Sequence, residues 1–236
     1  MRSLLSACAS DVGLVREHNE DSCLVWKSCM AVADGLGGHN AGEVASKIAI
    51  DIVAASAELL VSGEKGLGEC MREANARVLE AADGDAAFTG MGTTLTVAVA
   101  AGGSLRIAHV GDSRAYLISN GTITRLTHDH SVVGEMVRSG ALTPDQAHTH
   151  PGRHAITRAL GFFDELEVDE DTYAFGSGDA VLLCTDGLHD VVSDDEILQA
   201  VVTRQVPEEI CRLLVEMARA RGGPDNITVA VGIEDE

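Results

Sequence analysis

Thr93-Thr-Leu-Thr-Val-Ala-Val-Ala100, Ser104-Leu-Arg-Ile-Ala-His-Val110, Arg114-Ala-Tyr-Leu-Ile-Ser119 and Thr122-Ile-Thr-Arg-Leu126 follow one another closely. Only Gly102-Gly103, Gly111-Asp112 and Asn120-Gly121 mark the turns between them. Strand-like runs joined this tightly imply antiparallel neighbours, because a parallel pair needs a crossover of a dozen or more residues. Asn-Gly between two such runs is a strong hairpin signal. An antiparallel sheet, rather than a doubly wound parallel one, is expected at the middle of the chain.

Upstream of this block the period is helical. From Ala41, the residues Val44, Ile48, Ile52, Ala55 and Leu59 share one face. A glycine-rich break at 62–68 precedes a second helix expected over about 69–82. Before these lie strands expected at 3–9 and 22–33, the latter broken near Lys27-Ser28 as in a hairpin. Downstream, residues 127–163 change texture and hold five of the nine histidines, His128, His130, His148, His150 and His154. Short helical pieces are expected near 131–138 and 143–148, the second opened by Thr143-Pro144-Asp145. Strands at 166–175 and 179–185, helices at 193–203 and 207–221, and a last strand at 226–233 complete the chain. This order gives an α+β class: a β-sandwich of two antiparallel sheets flanked by helix pairs, a four-layer αββα arrangement. No linker and no internal repeat divides it, so residues 1–236 read as a single domain with a lid segment at about 127–155.

Composition narrows the function. Aromatic residues are 3% of the chain, so an aliphatic core is required of its 236 residues. The net charge of −20 argues against nucleic acid and against an anionic membrane surface, both of which recruit Lys and Arg. An acidic protein that handles phosphate needs cations at its site, which bound divalent metal supplies. The six cysteines form no Cys-x-x-Cys pair and read as small core residues of a reducing compartment. With no apolar run long enough for a signal peptide or a membrane span, a cytoplasmic monomer is the expectation.

The chemistry emerges from aspartates that follow or precede apolar strands. Asp34 follows Ala31-Val-Ala33, Asp112 follows Leu105–Val110 and a glycine, Asp186 follows Ala180–Thr185, and Asp225 precedes the final strand. Each alone is also an ordinary turn. If the strand ends converge, four carboxylates repel and their pKa values rise unless a cation neutralises them. Mg²⁺ and Mn²⁺, hard ions with oxygen ligands, suit such a cluster.

The ordered set Arg16-Glu-His-Asn-Glu-Asp21, Asp34-Gly-Leu-Gly-Gly-His39, Gly90-Met-Gly-Thr-Thr94, Gly111-Asp-Ser-Arg114, Ile156-Thr-Arg-Ala-Leu-Gly161, Thr185-Asp-Gly-Leu188 and Gly223-Pro-Asp-Asn226 resembles the metal-dependent protein phosphatases, the protein phosphatase 2C-like serine/threonine phosphatases in their compact bacterial form. The resemblance covers essentially the whole chain. It implies hydrolysis of phosphoserine and phosphothreonine in proteins by attack of a metal-bridging water, opposing a Ser/Thr kinase. It also implies Mn²⁺ or Mg²⁺, two per chain with a third, weaker ion. By motif, Asp34 resembles the bridging carboxylate with the Gly35 carbonyl as a further ligand, and Asp186 and Asp225 complete the second metal. Asp21 lies in the first or water-mediated shell, where Glu20 can join it. Asp112 resembles the third ion's ligand, sharing Asp186. Arg16 resembles the phosphate clamp, its alternative being a surface ion pair with Glu17 or Glu20. His39 resembles the general acid, its alternative being a residue that only orders water. A pseudophosphatase that binds phosphoproteins without turnover and a metal-dependent phosphodiesterase are the competing readings. The first expects lost aspartates, the second a basic groove. His109 reads as a structural residue, the lid histidines as surface or substrate-facing polarity, and His189 has no assignable role.

Overall fold

The computed structural model describes residues 4–37 and 41–234. In chain order the elements are β1 (Leu4–Asp11), β2 (Ser22–Trp26), β3 (Cys29–Ala33), β4 (Gly35–Leu36), α1 (Ala41–Ser62), α2 (Leu67–Gly84), β5 (Gly92–Thr93), β6 (Leu95–Ala101), β7 (Ser104–Val110), β8 (Arg114–Ser119) and β9 (Thr122–Arg125). They continue with α3 (Val132–Arg138), α4 (Pro144–His148), β10 (Asp169–Ala174), β11 (Ala180–Cys184), α5 (Asp186–His189), α6 (Asp194–Thr203), α7 (Pro207–Ala220) and β12 (Ile227–Glu234).

Two five-stranded sheets form, ordered β1-β12-β11-β8-β9 and β10-β7-β6-β3-β2, and every pairing in them is antiparallel. Strand pleating sends alternate side chains to opposite faces, and here both faces are covered. In β3, Cys29, Ala31 and Ala33 pack under α1 and α2, while Met30 and Val32 face the other sheet. In β11, Ala180, Leu182 and Cys184 pack under α6 and α7, while Val181 and Leu183 face inward. These central strands therefore read as unbroken apolar runs. The four layers match the expected αββα order. Truncating a central plug such as Leu182, which is fully buried, leaves a cavity costing about 2–5 kcal/mol.

Local chemistry explains the element ends. Asn120 and Gly121 both take positive φ (51° and 72°), and the hairpin closes on Ser119 opposite Thr122. Thr143 caps α4 through a reciprocal box with Gln146, with Pro144 at the first helical position. The strand expected at 166–175 begins only at Asp169. Two short elements escape any sequence period: β4 and β5 pair with each other as two-residue strands.

Register then gathers the acidic turns. Ala33 at the end of β3 pairs with Ser22 at the start of β2, so Asp34 and Asp21 emerge together. Leu95 pairs with Val110, placing the turn before Asp112 beside the start of β6. Cys184 pairs with Val229, bringing Asp186 beside the turn that holds Asp225. Four chain reversals thus open at one end of the sandwich.

Candidate metal centre

Asp34 is held by its backbone rather than by its carboxylate. Its N–H donates to Thr94 Oγ1 (2.9 Å), and its carbonyl accepts from Thr94 N–H (2.9 Å) and Thr93 Oγ1 (2.9 Å). Thr94 is fixed in turn by Ser113 at 2.8 Å. Gly35 follows where no side chain fits: a Cβ there would lie 2.2 Å from the Gly42 carbonyl oxygen and 2.5 Å from that of Glu20. Glycine is needed at this position for close backbone approach.

Asp21 is buried, and its Oδ2 accepts from Thr185 Oγ1 (2.8 Å), while its Oδ1 has no partner among the described residues. Asp186 opens α5, and its buried Oδ1 is likewise without a partner there. Asp112 follows Gly111 (φ 115°) and hangs from its own carbonyl, which accepts from His189 Nε2 at 3.1 Å. Asp225 accepts from Arg16 Nη2 at 2.7 Å and from the Asn226 N–H at 2.8 Å. A cavity of about 420 Å³ is lined by Arg16, Glu20, Asp34, Gly35, Asp112, Asp186 and Asp225.

Charge converges on Asp34. Burial pushes its carboxyl well above the ordinary range, and Asp21, Asp186, Asp112 and Asp225 each push it further. Burial first, then neighbouring carboxylates, raises Asp21 to about 7 despite its hydroxyl donors, and Asp112 to about 8. Asp186 rises for the same leading reason, although His189 opposes it. Buried anions with orphaned oxygens are costly unless a cation pairs with them. This all-oxygen donor set fits hard divalent ions such as Mg²⁺ or Mn²⁺.

The structure also places residues that the motifs left without a role. Asn226 is buried and ties down the segment carrying Arg16 and Asp21. Its Nδ2 donates to the carbonyls of Val12 (3.0 Å) and His18 (2.9 Å), and its Oδ1 accepts from Glu20 N–H (2.8 Å). His154, within the 127–155 segment, reaches the centre: one ligand atom each from His154, Asp186 and Asp190 lie within 4.8 Å of one another. His130 corrects the surface reading of the lid histidines. It is fully buried, its Nδ1 accepts from Gly111 N–H (3.1 Å), and its Nε2 faces Asp169 (3.1 Å). His109 lies in β7, bonded to Thr96 and the His128 carbonyl. Arg16 pairs with neither Glu17 nor Glu20 but with Asp225. His39 lies outside the described residues. A second cavity, of about 840 Å³ between the lid and α5–α6, meets the first at Asp112, His154 and Asp186.

An antiparallel αββα sandwich with a buried acidic cluster at one end is an architecture suited to binding divalent metal. The chain belongs to the protein phosphatase 2C family, whose sequence pattern matches residues 5–227. It is 43% identical over 230 residues to the serine/threonine protein phosphatase PstP of Mycobacterium tuberculosis, covering 95% of this chain and 44% of that protein. The chain thus spans less than half the length of that relative. It is 36% identical over 231 residues to the serine/threonine phosphatase Stp of Listeria monocytogenes, covering 93% of this chain and 92% of that protein. The crystal structure of the PstP catalytic domain in complex with 2 manganese ions superposes with a TM-score of 0.89 at 37% identity, over 100% of both chains.

Proposed function

We propose that this chain is an Mn²⁺/Mg²⁺-dependent protein phosphatase that hydrolyses phosphoserine and phosphothreonine in proteins, releasing the alcohol and inorganic phosphate. The observation that carries this reading is the convergence of four carboxylate charges on Asp34, with unpaired oxygens on Asp21 and Asp186. Asp34, the Gly35 carbonyl, Asp186, Asp225 and Asp21 would hold two ions, and Asp112 with Asp186 would hold a third. When bound, the ions supply Lewis-acid stabilisation of the phosphoryl oxygens and a lowered water pKa. Every other step belongs to the chain's own groups. The Arg16 guanidinium binds the substrate phosphate through its paired N–H donors, exchanging Asp225 for the ligand. Asn226 keeps Arg16 and Asp21 on one rigid segment, which limits the reorganisation needed at the transition state. His39 donates the proton to the departing serine or threonine alkoxide, a poor leaving group on its own.

The substrates are phosphorylated products of a Ser/Thr kinase of the same cell, met by a cytoplasmic monomer. Among the described residues, no helix is long and apolar enough to cross a membrane. Phosphate release from a phosphothreonine peptide tests the reading. It is expected with Mn²⁺, and is expected to be lost with chelator and in Asp34→Ala and Asp186→Ala. No release from any peptide or aryl monoester in Mn²⁺ would leave a phosphoprotein-binding module. Faster turnover of a phosphate diester than of the monoester would point to a phosphodiesterase.

A further inference from the structure

Cys8 and Cys23 belong to different sheets, yet their sulfur atoms lie 2.9 Å apart. β1 is an edge strand of one sheet and β2 an edge strand of the other. The pleat brings both thiols into the layer between the sheets. Ala7 and Ala9 on β1 face α7, so Cys8 faces inward; Leu24 on β2 faces the other helix layer, so Cys23 faces inward with Val25. The remaining nearby thiol, Cys211, sits on the opposite face of β1, where it donates to the Ala7 carbonyl, and cannot compete for Cys8. Cys8 and Cys23 are half-buried, whereas Cys29, Cys70, Cys184 and Cys211 are buried.

We propose that Cys8 and Cys23 are a thiol–disulfide site: a reversible cross-link between the two sheets, at the base of the segment that carries Arg16 and Asp21. The bond needs the two sulfurs to close from 2.9 Å to about 2 Å, with no change of strand register. Oxidised glutathione serves as the oxidant. The Cys8 thiolate attacks one glutathione sulfur, breaking the glutathione S–S bond and expelling one glutathione thiolate. Cys23 then loses its proton to solvent and attacks the Cys8 sulfur, expelling the second glutathione. Two protein thiols are oxidised to one disulfide, and one glutathione disulfide is reduced to two thiols. The roles of Cys8 and Cys23 are interchangeable, because each sulfur lies within reach of a mixed disulfide formed on the other. Half-burial keeps the bond open to reduction, as for labile rather than structural disulfides. The closed ring runs from residue 8 to residue 23, so oxidation fixes both ends of the polar segment between them.

The site is tested on the folded protein treated with oxidised glutathione, followed by intact mass, peptide mapping and thermal melting. A mass lower by two hydrogens, one Cys8–Cys23 linked peptide, and a midpoint about 5–10 °C above the reduced protein are expected, all reversed by dithiothreitol. Cys8→Ser and Cys23→Ser should each prevent the link while melting like the reduced protein. Cys8→Ala and Cys23→Ala give the same comparison if serine is poorly tolerated. Stable glutathione adducts without the link, a link mapping to any other cysteine, or a linked form that melts no higher than the reduced one would overturn the proposal. The outcome does not depend on phosphatase activity.

Discussion

Replacing Asn226 with alanine removes three side-chain hydrogen bonds, to the Val12 carbonyl, the His18 carbonyl and the Glu20 N–H. All three groups lie in the segment that delivers Arg16 and Asp21. Each such bond contributes about 0.5–1.5 kcal/mol net, and its partner loses more if left dry. Water can reach part of this segment, so a total cost of about 2–3 kcal/mol is expected for Asn226→Ala. In a chain of this size that lowers the melting midpoint by about 5–10 °C. The Asn226 N–H that donates to Asp225 Oδ1 belongs to the backbone and survives the substitution, so Asp225 keeps its place. Asp21 and the Glu20 backbone lose theirs, and Mn²⁺ affinity should fall by about 10–100-fold, the usual effect of losing a group that orients metal ligands. Differential scanning fluorimetry with and without Mn²⁺, paired with calorimetric titration, reads both quantities. A variant with wild-type midpoint and wild-type Mn²⁺ affinity would refute the role given to Asn226.

Four further outcomes are expected. Gly35→Ala forces a Cβ to 2.2 Å from the Gly42 carbonyl oxygen; backbone cannot yield as a side-chain tip does, so circular dichroism should show a misfolded or strongly destabilised protein. In the metal-free protein the raised carboxyls of Asp21 (about 7) and Asp112 (about 8) bind protons that the unfolded chain releases. Their stabilisation is therefore present below the unfolded value and is lost as pH rises through the folded values. Metal-free midpoints should fall between about pH 5 and pH 9, while Mn²⁺ affinity rises over the same window as those protons are displaced. Arg16→Ala breaks a half-exposed ion pair with Asp225, so stability should change by less than about 1 kcal/mol, yet KM for a phosphopeptide should rise about tenfold. Hydrogen exchange should be faster in α3 and α4 of the lid than in β11, with the His130 N–H, bonded to the Gly111 carbonyl at 2.7 Å, protected.

The sandwich was legible because its central strands carry continuous apolar runs and its turns carry glycine in the required places. Asn120-Gly121 is the clearest instance, since both residues take the positive φ that a two-residue hairpin demands. The aspartates were legible for a related reason: each sits within two residues of a strand end, and antiparallel pairing brings strand ends together. What the sequence hid is what depends on distant partners. Asn226 bonds groups more than two hundred positions away, and no local period marks such a residue; its place beside Asp225 was the only signal. Arg16 has the same history, finding Asp225 rather than the glutamates beside it in sequence. His130 looked like one polar residue among several, and only the fold shows that it plugs the space between the Gly111 turn and β10. β4 and β5 are too short for alternation to register.

The carboxylates around Asp34 converge as a shared site for divalent ions requires. Electron paramagnetic resonance of the Mn²⁺-loaded protein tests it most directly. The exchange-coupled spectrum of neighbouring ions is expected in the wild type, and loss of that coupling in Asp34→Asn, with the fold intact by circular dichroism. A wild-type spectrum of isolated ions only, or coupling that persists in Asp34→Asn, would contradict it.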